Sequence, residues 1–336
     1  MCKKLTYEDA DLSTHFIGVD AGGTTTRALV AKADGAIVGV GRAPGANTWS
    51  SGTSVSHVII AALRAALHEI DPSTVAGGVI AVAGAATARP SVTADIYDAW
   101  HGLGLGGSPD LLPDVVAAYA AGTTRPDGVV LVAGTGAIAA AINHGRVTRR
   151  AGGHGWMVGD EGSAVWLGLE AIRAALRAID GTGPDTTLVT AISEKLHIGD
   201  IEDGSPARQI ISAAHSQPPA QLGLLAPAIV EACDQGDPVA RRLIEEAARH
   251  LCTTIAAAAG SQQPPAAVLA GSVLTKAAPI RRLVYASLTE RWPETSITET
   301  TSGEAGAVAL AIARYQGTPV TDATLARLRG ETAESS

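Results

Sequence analysis

Aromatic residues are scarce in this sequence, at 3% of 336 residues with a single Phe. Because 46% of the residues are hydrophobic, the core must be built mainly from Ala, Val, Leu and Ile. Cysteine is also rare. The three cysteines, Cys2, Cys233 and Cys252, show no CxxC spacing. This excludes a disulfide framework and argues against a zinc or iron–sulfur site.

Basic residues are outnumbered by acidic ones, 25 to 33, which gives a formal net charge of −8. Such a balance argues against a general binder of nucleic acid or anionic membranes. No apolar run approaches the roughly 18 residues that a membrane span needs, and the N-terminal stretch is too polar for a signal peptide. We therefore expect a cytoplasmic protein with no nucleic-acid or membrane partner.

The order of predicted elements repeats along the chain. Apolar strands predicted at 16–21, 27–32 and 36–41 form a β-meander with a Gly/Thr turn after its first strand. The same order returns about 112 residues later, counted from Gly22 to Gly134. Its strands are predicted at 129–133, 137–142 and 146–150. A chain of this length is typical of two domains, so each half is predicted to open with a meander.

Between and after the meanders, apolar periodicity predicts helices and two further buried strands. The strands are predicted at 78–83 and 268–270. The helices are predicted at 54–70, 91–101, 115–121, 161–179, 185–195, 205–214, 222–234, 237–259 and 303–315, with a weak one near 321–329.

The two Gly/Thr turns are candidate phosphate-binding loops. Asp20 ends the first strand before Gly22, Gly23 and Thr24, and the second turn is Gly134-Thr135-Gly136. Glycine lets a backbone approach an anion closely, although each turn alone could be an ordinary hairpin. The sequence contains neither a GxxxxGK[ST] motif nor a GxGxxG motif that opens a helix after a strand. This argues against a P-loop or Rossmann nucleotide site.

Five glycines fall within residues 152–162, and this loop ends in Asp160-Glu161-Gly162-Ser163. Such a glycine density is entropically costly and favours a ligand-binding loop. The alternative is a flexible loop before a helix whose start carries the acids.

Three shorter segments carry further candidates. Asp114 precedes a predicted helix and could be its N-cap or a general base. Asn47-Thr48-Trp49 offers polar groups and a ring that suit a sugar, and could equally be a turn. Gly271-Ser272 follows a buried strand, where it could contact an adenine or form a simple turn.

Taken in order, these segments resemble the actin–hexokinase superfamily, and within it the BadF-type ATPase family in its N-acetylglucosamine kinase branch. The segment GGHGWMVGDEGSAVW (152–166) carries the most specific similarity, and the resemblance extends from residue 16 to about 315. It implies an α/β fold of two actin-like (ribonuclease H-like) domains with a nucleotide and sugar cleft between them. The first would span 1–122 together with the C-terminal segment 303–336, and the second 123–302.

The resemblance also implies an ATP-dependent kinase that uses Mg²⁺ and phosphorylates the 6-hydroxyl of an amino sugar, with a homodimeric assembly. Asp114 would be catalytic, and Asp20 would hold the metal through water. The implied nucleotide-binding residues are Asp20, Gly22, Gly23, Thr24, Gly134, Thr135, Gly136, Gly271 and Ser272. The implied sugar-binding residues are Asn47, Thr48, Gly153, His154, Gly155 and Asp160.

Three departures from the family pattern bear on the substrate: Ala137 replaces a Ser, Pro113 and Val115 flank Asp114, and His154 and Trp156 are exchanged. N-Acetylglucosamine, glucosamine and N-acetylmuramic acid thus stay open as substrates. A non-catalytic sugar sensor of the same fold is the alternative from another class, and the presence of both Asp20 and Asp114 favours catalysis.

Overall fold

The computed structural model describes residues 14–45, 55–84, 90–198 and 205–331. They fold into two compact units. The first unit draws its described residues from Met1–Asp127, Ile142–Val147 and Ser302–Ser336, and the second from Gly128–Ala141 and Thr148–Thr301.

The elements are mixed α and β, as predicted. The strands are β1 (His15–Ala21), β2 (Thr25–Lys32), β3 (Ile37–Pro44), β4 (Val75–Val82), β5 (Pro109–Pro113), β6 (Asp127–Ala133), β7 (Ala137–Asn143), β8 (Arg146–Gly152), β9 (Ala266–Ala270) and β10 (Ser296–Thr300). The helices are α1 (Val55–Ala66), α2 (Pro90–Gly102), α3 (Asp114–Gly122), α4 (Ala164–Ile179), α5 (Leu188–Lys195), α6 (Pro206–His215), α7 (Pro219–Leu222), α8 (Ala226–Asp234), α9 (Pro238–Ala259), α10 (Ser272–Lys276), α11 (Ala278–Arg291), α12 (Gly303–Gln316) and α13 (Asp322–Leu328).

Each half of the chain contributes one five-stranded sheet, with orders β3-β2-β1-β4-β5 and β10-β9-β6-β7-β8. In the first sheet β1 pairs antiparallel with β2, and β2 with β3. The parallel strands β4 and β5 follow on the other side of β1. In the second sheet β6, β7 and β8 are neighbours in the same way, and β9 runs parallel to β6. Both predicted meanders are thereby confirmed.

Alternating residues of the first sheet face two helical layers. Ile17 and Val19 lie in one apolar cluster with α1 and α2. Phe16 lies in the opposite cluster with α12 and α13. Burying such a side chain stabilises the fold by about 1.5–3 kcal/mol. Both faces of this sheet are therefore covered, and the core is mostly Ala, Val, Leu and Ile as the composition predicts.

The differences from the predicted elements include three segments of the second unit. The expected helix 222–234 is instead α7 and α8 separated by a short 3₁₀ turn at Gly223–Leu225. No helix was predicted at α11, although Ile280, Val284 and Leu288 repeat every four residues and are buried there. No strand was predicted at β10, because its sequence SITET is largely polar, which suits its place at a sheet edge.

Among the described residues, no helix combines the length and apolar character that crossing a bilayer requires.

Candidate active site

The first Gly/Thr turn joins β1 to β2 at one end of the first sheet. Gly22 N–H donates to the carbonyl oxygen of Thr25 over 3.1 Å, so this amide closes the turn. Gly23 is packed closely by the end of β3, since a Cβ atom at Gly45 would lie 2.1 Å from the Gly23 carbonyl oxygen. Thr24 is exposed at the tip. The turn is tight and held on two sides.

Asp20 lies at the end of β1 and faces the start of α12. A Cβ atom at Gly303, the first residue of α12, would lie 2.6 Å from Oδ2 of Asp20. Burial raises the pKa of Asp20 to about 7, the charges of Asp114 and Glu304 add to the rise, and Arg27 opposes it. Burial is therefore the main cause of the raised pKa of Asp20, and the two neighbouring carboxylates add to it.

Asp114 lies at the junction of β5 and α3. It is the first residue inside the helix, whereas Pro113 precedes the helix and makes no side-chain cap. The N-cap interpretation is therefore wrong in detail: the Asp114 carboxylate accepts from the N–H of Val115 at 3.0 Å. Burial raises the pKa of Asp114, and this hydrogen bond opposes the rise.

Glu304 is a charged group of this cluster that the sequence analysis did not single out. Its side chain is 15% exposed, and its Oε2 lies 3.9 Å from Nη1 of Arg27. Burial raises the pKa of Glu304, and the charges of Arg27 and Arg42 oppose the rise. One signal could have found it: Glu304 is the only charge in the first ten residues of α12, a helix otherwise made of small and apolar residues.

The second Gly/Thr turn lies between β6 and β7 in the second unit. Gly134 N–H donates to the Gly136 carbonyl at 2.9 Å, and the Gly134 carbonyl accepts from Ala164 N–H at 2.8 Å. Ala164 is the first residue of α4. Gly153 N–H donates to the Ala137 carbonyl at 2.8 Å. The turn is thus fixed between the start of α4 and the glycine-rich loop.

Asp160 connects that turn to the glycine-rich loop. Its carboxylate accepts from Gly155 N–H at 3.3 Å and from the backbone of Ala137. A Cβ atom at Gly136 would lie 2.6 Å from its Oδ2. Asp160 is 8% exposed and adopts φ = 58°. Burial raises its pKa, and the two amide hydrogen bonds oppose the rise.

The acids of the Asp-Glu-Gly-Ser segment precede the helix and do not form its first turn. Ser163 is the N-cap, with its hydroxyl accepting from Trp166 N–H at 3.2 Å, and α4 begins at Ala164. The expected helix start at 161 is therefore wrong. Ser caps well because its short side chain reaches the free N–H groups, which leaves Asp160 to bond within the loop.

The glycine-rich loop needs its glycines. Gly152, Gly153 and Gly155 all have positive φ values, of 72°, 69° and 92°, where other residues are strained. Gly153 and His154 are exposed, as are the neighbouring side chains at 157 and 158. The loop therefore presents groups to solvent that a bound molecule could contact.

Gly271 and Ser272 lie beside the second Gly/Thr turn. Gly271 has φ = 91°, and a Cβ atom there would lie 2.4 Å from the Ala133 carbonyl oxygen. The backbone nitrogen and hydroxyl of Ser272 lie 3.9 Å from the corresponding position at Gly134. The second unit thus brings Gly134–Gly136, Asp160, Gly155 and Ser272 into one neighbourhood. Asn47 and Thr48 lie outside the described residues.

Within the described ranges, no three His, Cys, Asp or Glu side chains converge closely enough to hold a metal ion by themselves. The donor chemistry around Asp20 suits a hydrated Mg²⁺, which keeps most of its waters and takes one or two carboxylates plus phosphate oxygens. The charges that act on Asp20 are those of two carboxylates, Asp114 and Glu304, and one guanidinium, Arg27, and this balance fits a site for a cation.

Two sheets, each with a meander whose first two strands are joined by a glycine turn, define the actin-like class of α/β proteins. A crystal structure of a proposed N-acetylglucosamine kinase from Chromobacterium violaceum has the same fold. Its TM-score is 0.71 at 22% identity, with 89% of this chain and 99% of that chain covered.

The chain belongs to the BadF/BadG/BcrA/BcrD ATPase family, whose model matches residues 17–311. It is 28% identical over 242 residues to an N-acetylmuramic acid/N-acetylglucosamine kinase of Clostridium acetobutylicum, covering 72% of this chain and 78% of the relative. It is also 28% identical over 250 residues to an N-acetyl-D-glucosamine kinase of Dictyostelium discoideum, covering 70% and 76%.

Proposed function

We propose that this protein is an ATP-dependent amino-sugar kinase that transfers the γ-phosphoryl group of ATP to the 6-hydroxyl of N-acetylglucosamine. The observation that carries the proposal is the pair of partly buried carboxyls Asp114 and Asp20, close enough for one charge to raise the pKa of the other. Phosphoryl transfer to an alcohol needs a proton acceptor and a negative group near the metal. The names of the two relatives support an amino sugar as the acceptor.

Asp114 would accept the proton of the sugar hydroxyl as its oxygen attacks the γ-phosphorus and the bond to the β-phosphate oxygen breaks. The transition state of such transfers is loose, so positioning counts for more than base strength. The raised pKa of Asp114 suits this task, because a base works best when its pKa lies nearer the working pH. Its bond to Val115 N–H fixes the carboxylate direction.

The residues proposed to bind the nucleotide belong to the first Gly/Thr turn in the first unit, and to the second Gly/Thr turn and the Gly271-Ser272 turn in the second unit. Gly23, Thr24 and Thr135 would supply donors to the phosphates, and Gly271 and Ser272 would contact the adenosine. Mg²⁺ would neutralise the phosphate charge, with Asp20 binding one of the waters around it. This arrangement is consistent with the excess negative charge at Asp20.

The sugar would contact the glycine-rich loop through Gly153, His154, Gly155 and Asp160, together with Asn47 and Thr48. Asp160 would accept hydrogen bonds from sugar hydroxyls with the lone pairs that Gly155 and Ala137 do not use. Because burial disfavours its ionised form, each added donor would help to stabilise the carboxylate.

Initial rates of ADP release test this proposal with N-acetylglucosamine, glucosamine, N-acetylmuramic acid and glucose at saturating Mg²⁺ and ATP. We expect the highest kcat/KM with N-acetylglucosamine and phosphate on its 6-oxygen, checked by ³¹P–¹H NMR correlation. A preference for N-acetylmuramic acid or glucosamine would show that the substrate is a different amino sugar and would leave the kinase activity in place. Sugar binding by calorimetry without ADP release would instead support a sensor and contradict the kinase.

Two further properties follow from the same proposal. We propose that the enzyme is a homodimer, which light scattering of the purified protein tests, with a monomer mass as the contrary result. Because ATP is the donor, we also propose that it acts in the cytoplasm, which cell fractionation tests.

A further inference from the structure

We propose that the first two residues of α12, Gly303 and Glu304, are positioning residues for Asp20: Gly303 makes room for its carboxylate, and Glu304 offsets the positive charge of the Arg27 guanidinium near it. This inference rests on the proposed role of Asp20 toward Mg²⁺. It adds two residues, Gly303 and Glu304, that support this role although they lie far from Asp20 in the sequence.

The register of β1 fixes the geometry. Residues 18 and 20 point to the same face of the sheet because side chains alternate along a strand. A Cβ atom at Gly18 would lie 2.4 Å from both the Glu304 carbonyl oxygen and the Val308 nitrogen. Helix α12 therefore packs directly on β1, and the side chain of Asp20 faces the first turn of the helix.

Gly303 leaves space that Asp20 fills. A methyl group there would lie 2.6 Å from Oδ2, 2.7 Å from Cγ and 3.2 Å from Cβ of Asp20. All three atoms belong to one short side chain, so it cannot bend away at its far end alone. Any side chain at position 303 would move the whole carboxylate.

Glu304 acts on the charge that Asp20 experiences. Arg27 is the cross-strand partner of Asp20 in the β1–β2 ladder, so their side chains share a face and lie about 5 Å apart at Cβ. The Arg27 charge acts on Asp20, but Nη1 of Arg27 also lies 3.9 Å from Oε2 of Glu304. With Glu304 neutral, the positive charge of Arg27 near Asp20 would be less compensated and would oppose the binding of a cation.

The test measures cation binding directly as well as turnover. Mn²⁺ serves as a paramagnetic substitute for Mg²⁺, and electron paramagnetic resonance of free Mn²⁺ gives its Kd in the presence of ADP. We expect Gly303→Ala and Glu304→Gln each to raise that Kd about tenfold, the effect of losing one hydrogen bond or ion pair. The Mg²⁺ concentration for half-maximal rate should rise in parallel, while the KM for sugar stays within twofold.

Two matched control variants test whether the effects on Mn²⁺ binding are specific to positions 303 and 304. Gly102→Ala adds a methyl group in open space, and Glu299→Gln removes a carboxylate from the exposed pair with Arg281. Both should bind Mn²⁺ as the wild type does. The double variant Arg27→Gln/Glu304→Gln should recover most of the lost Mn²⁺ affinity, which a purely structural role of Glu304 would not produce.

The variant Asp20→Asn separates failure of the proposed role of Asp20 from failure of the positioning role of Gly303 and Glu304. If Asp20→Asn leaves the Mn²⁺ Kd unchanged, the proposed role of Asp20 fails. If Asp20→Asn weakens Mn²⁺ but Gly303→Ala and Glu304→Gln do not, the positioning role alone fails. If Gly303→Ala does not fold, Glu304→Gln and the double variant Arg27→Gln/Glu304→Gln test the inference. The inference is overturned if Glu304→Gln does not weaken Mn²⁺ binding, or if the double variant does not recover the lost Mn²⁺ affinity.

Discussion

Replacing Asp114 by Asn tests the proposed base with little change of shape. The Asn carbonyl can still accept from Val115 N–H, which lies 3.0 Å from the native carboxylate. It cannot take a proton. General-base assistance typically contributes about 10²–10⁴-fold, so kcat should fall by that factor, equivalent to about 2.7–5.4 kcal/mol of transition-state stabilisation. The KM for sugar should change much less.

The same substitution should not destabilise the fold at neutral pH. The pKa of Asp114 is raised in the folded protein, chiefly by burial. The folded state therefore binds the proton more tightly than the unfolded chain, and ionisation of Asp114 lowers stability as pH rises above about 4. Asn carries no such cost. Since Asp114 lies inside the helix and is not its N-cap, no capping bond is lost either.

Single-turnover kinetics by rapid quench and urea unfolding between pH 4 and 8 measure the two effects. The free energy of unfolding of Asp114→Asn should exceed that of wild type increasingly as pH rises from 4. Asp95→Asn, on an exposed position of α2, is the control and should match wild type in both assays. A single-turnover rate for Asp114→Asn within threefold of wild type would refute the base assignment.

Three further predictions follow from the other carboxylates. The pKa of Asp20 is raised to about 7, so protons should compete with Mg²⁺ for this carboxylate below that pH. The Mg²⁺ concentration for half-maximal rate should therefore rise by up to about tenfold per pH unit below 7. The variant Asp20→Asn should abolish this pH dependence. Gly136→Ala should displace Asp160, whose Oδ2 lies 2.6 Å from the new methyl position, and should raise the KM for sugar about tenfold. The control Gly102→Ala should leave this KM unchanged. An unchanged KM in Gly136→Ala would contradict the proposed role of Asp160. Asp237 caps α9 and bonds two threonines, so Asp237→Ala should lower the unfolding free energy by about 2–3 kcal/mol. Its pKa is lowered in the fold, so this loss should shrink in urea titrations as pH falls below about 4; a loss that stays constant to pH 2 would refute the assignment.

The two meanders and their Gly/Thr turns were predictable because their signals are local. Short apolar runs mark β1 and β2, and Gly22 and Gly134 follow the ends of β1 and β6. The buried helices α4 and α9 repeat apolar residues at helical spacing and were also predicted. The start of α9 was predicted to within one residue, whereas α4 begins at Ala164, after a capping Ser, and not at 161.

What the sequence could not predict are contacts between distant segments. Gly303 and Asp20 are far apart in the chain, and no local pattern pairs them. Asp160 likewise meets Gly136 only because the glycine-rich loop folds back over the second turn. The strand β10 was missed because an edge strand with one buried residue lacks the apolar run that marks a strand.

The placement of α12 on β1 has a consequence for synthesis of the protein. Helix α12 begins at Gly303 of a 336-residue chain, yet it covers the first strand and borders Asp20. While the ribosome is still making the second unit, the first sheet lacks the helix that buries the face of Phe16 and Val79. Domains tend to fold as they emerge, but one apolar face of the first sheet stays exposed to solvent until α12 has been synthesised. Nascent chains stalled before residue 303 should therefore be protease-sensitive in β1–β5 and should engage chaperones, and the site around Asp20 would be completed only after α12 has emerged from the ribosome.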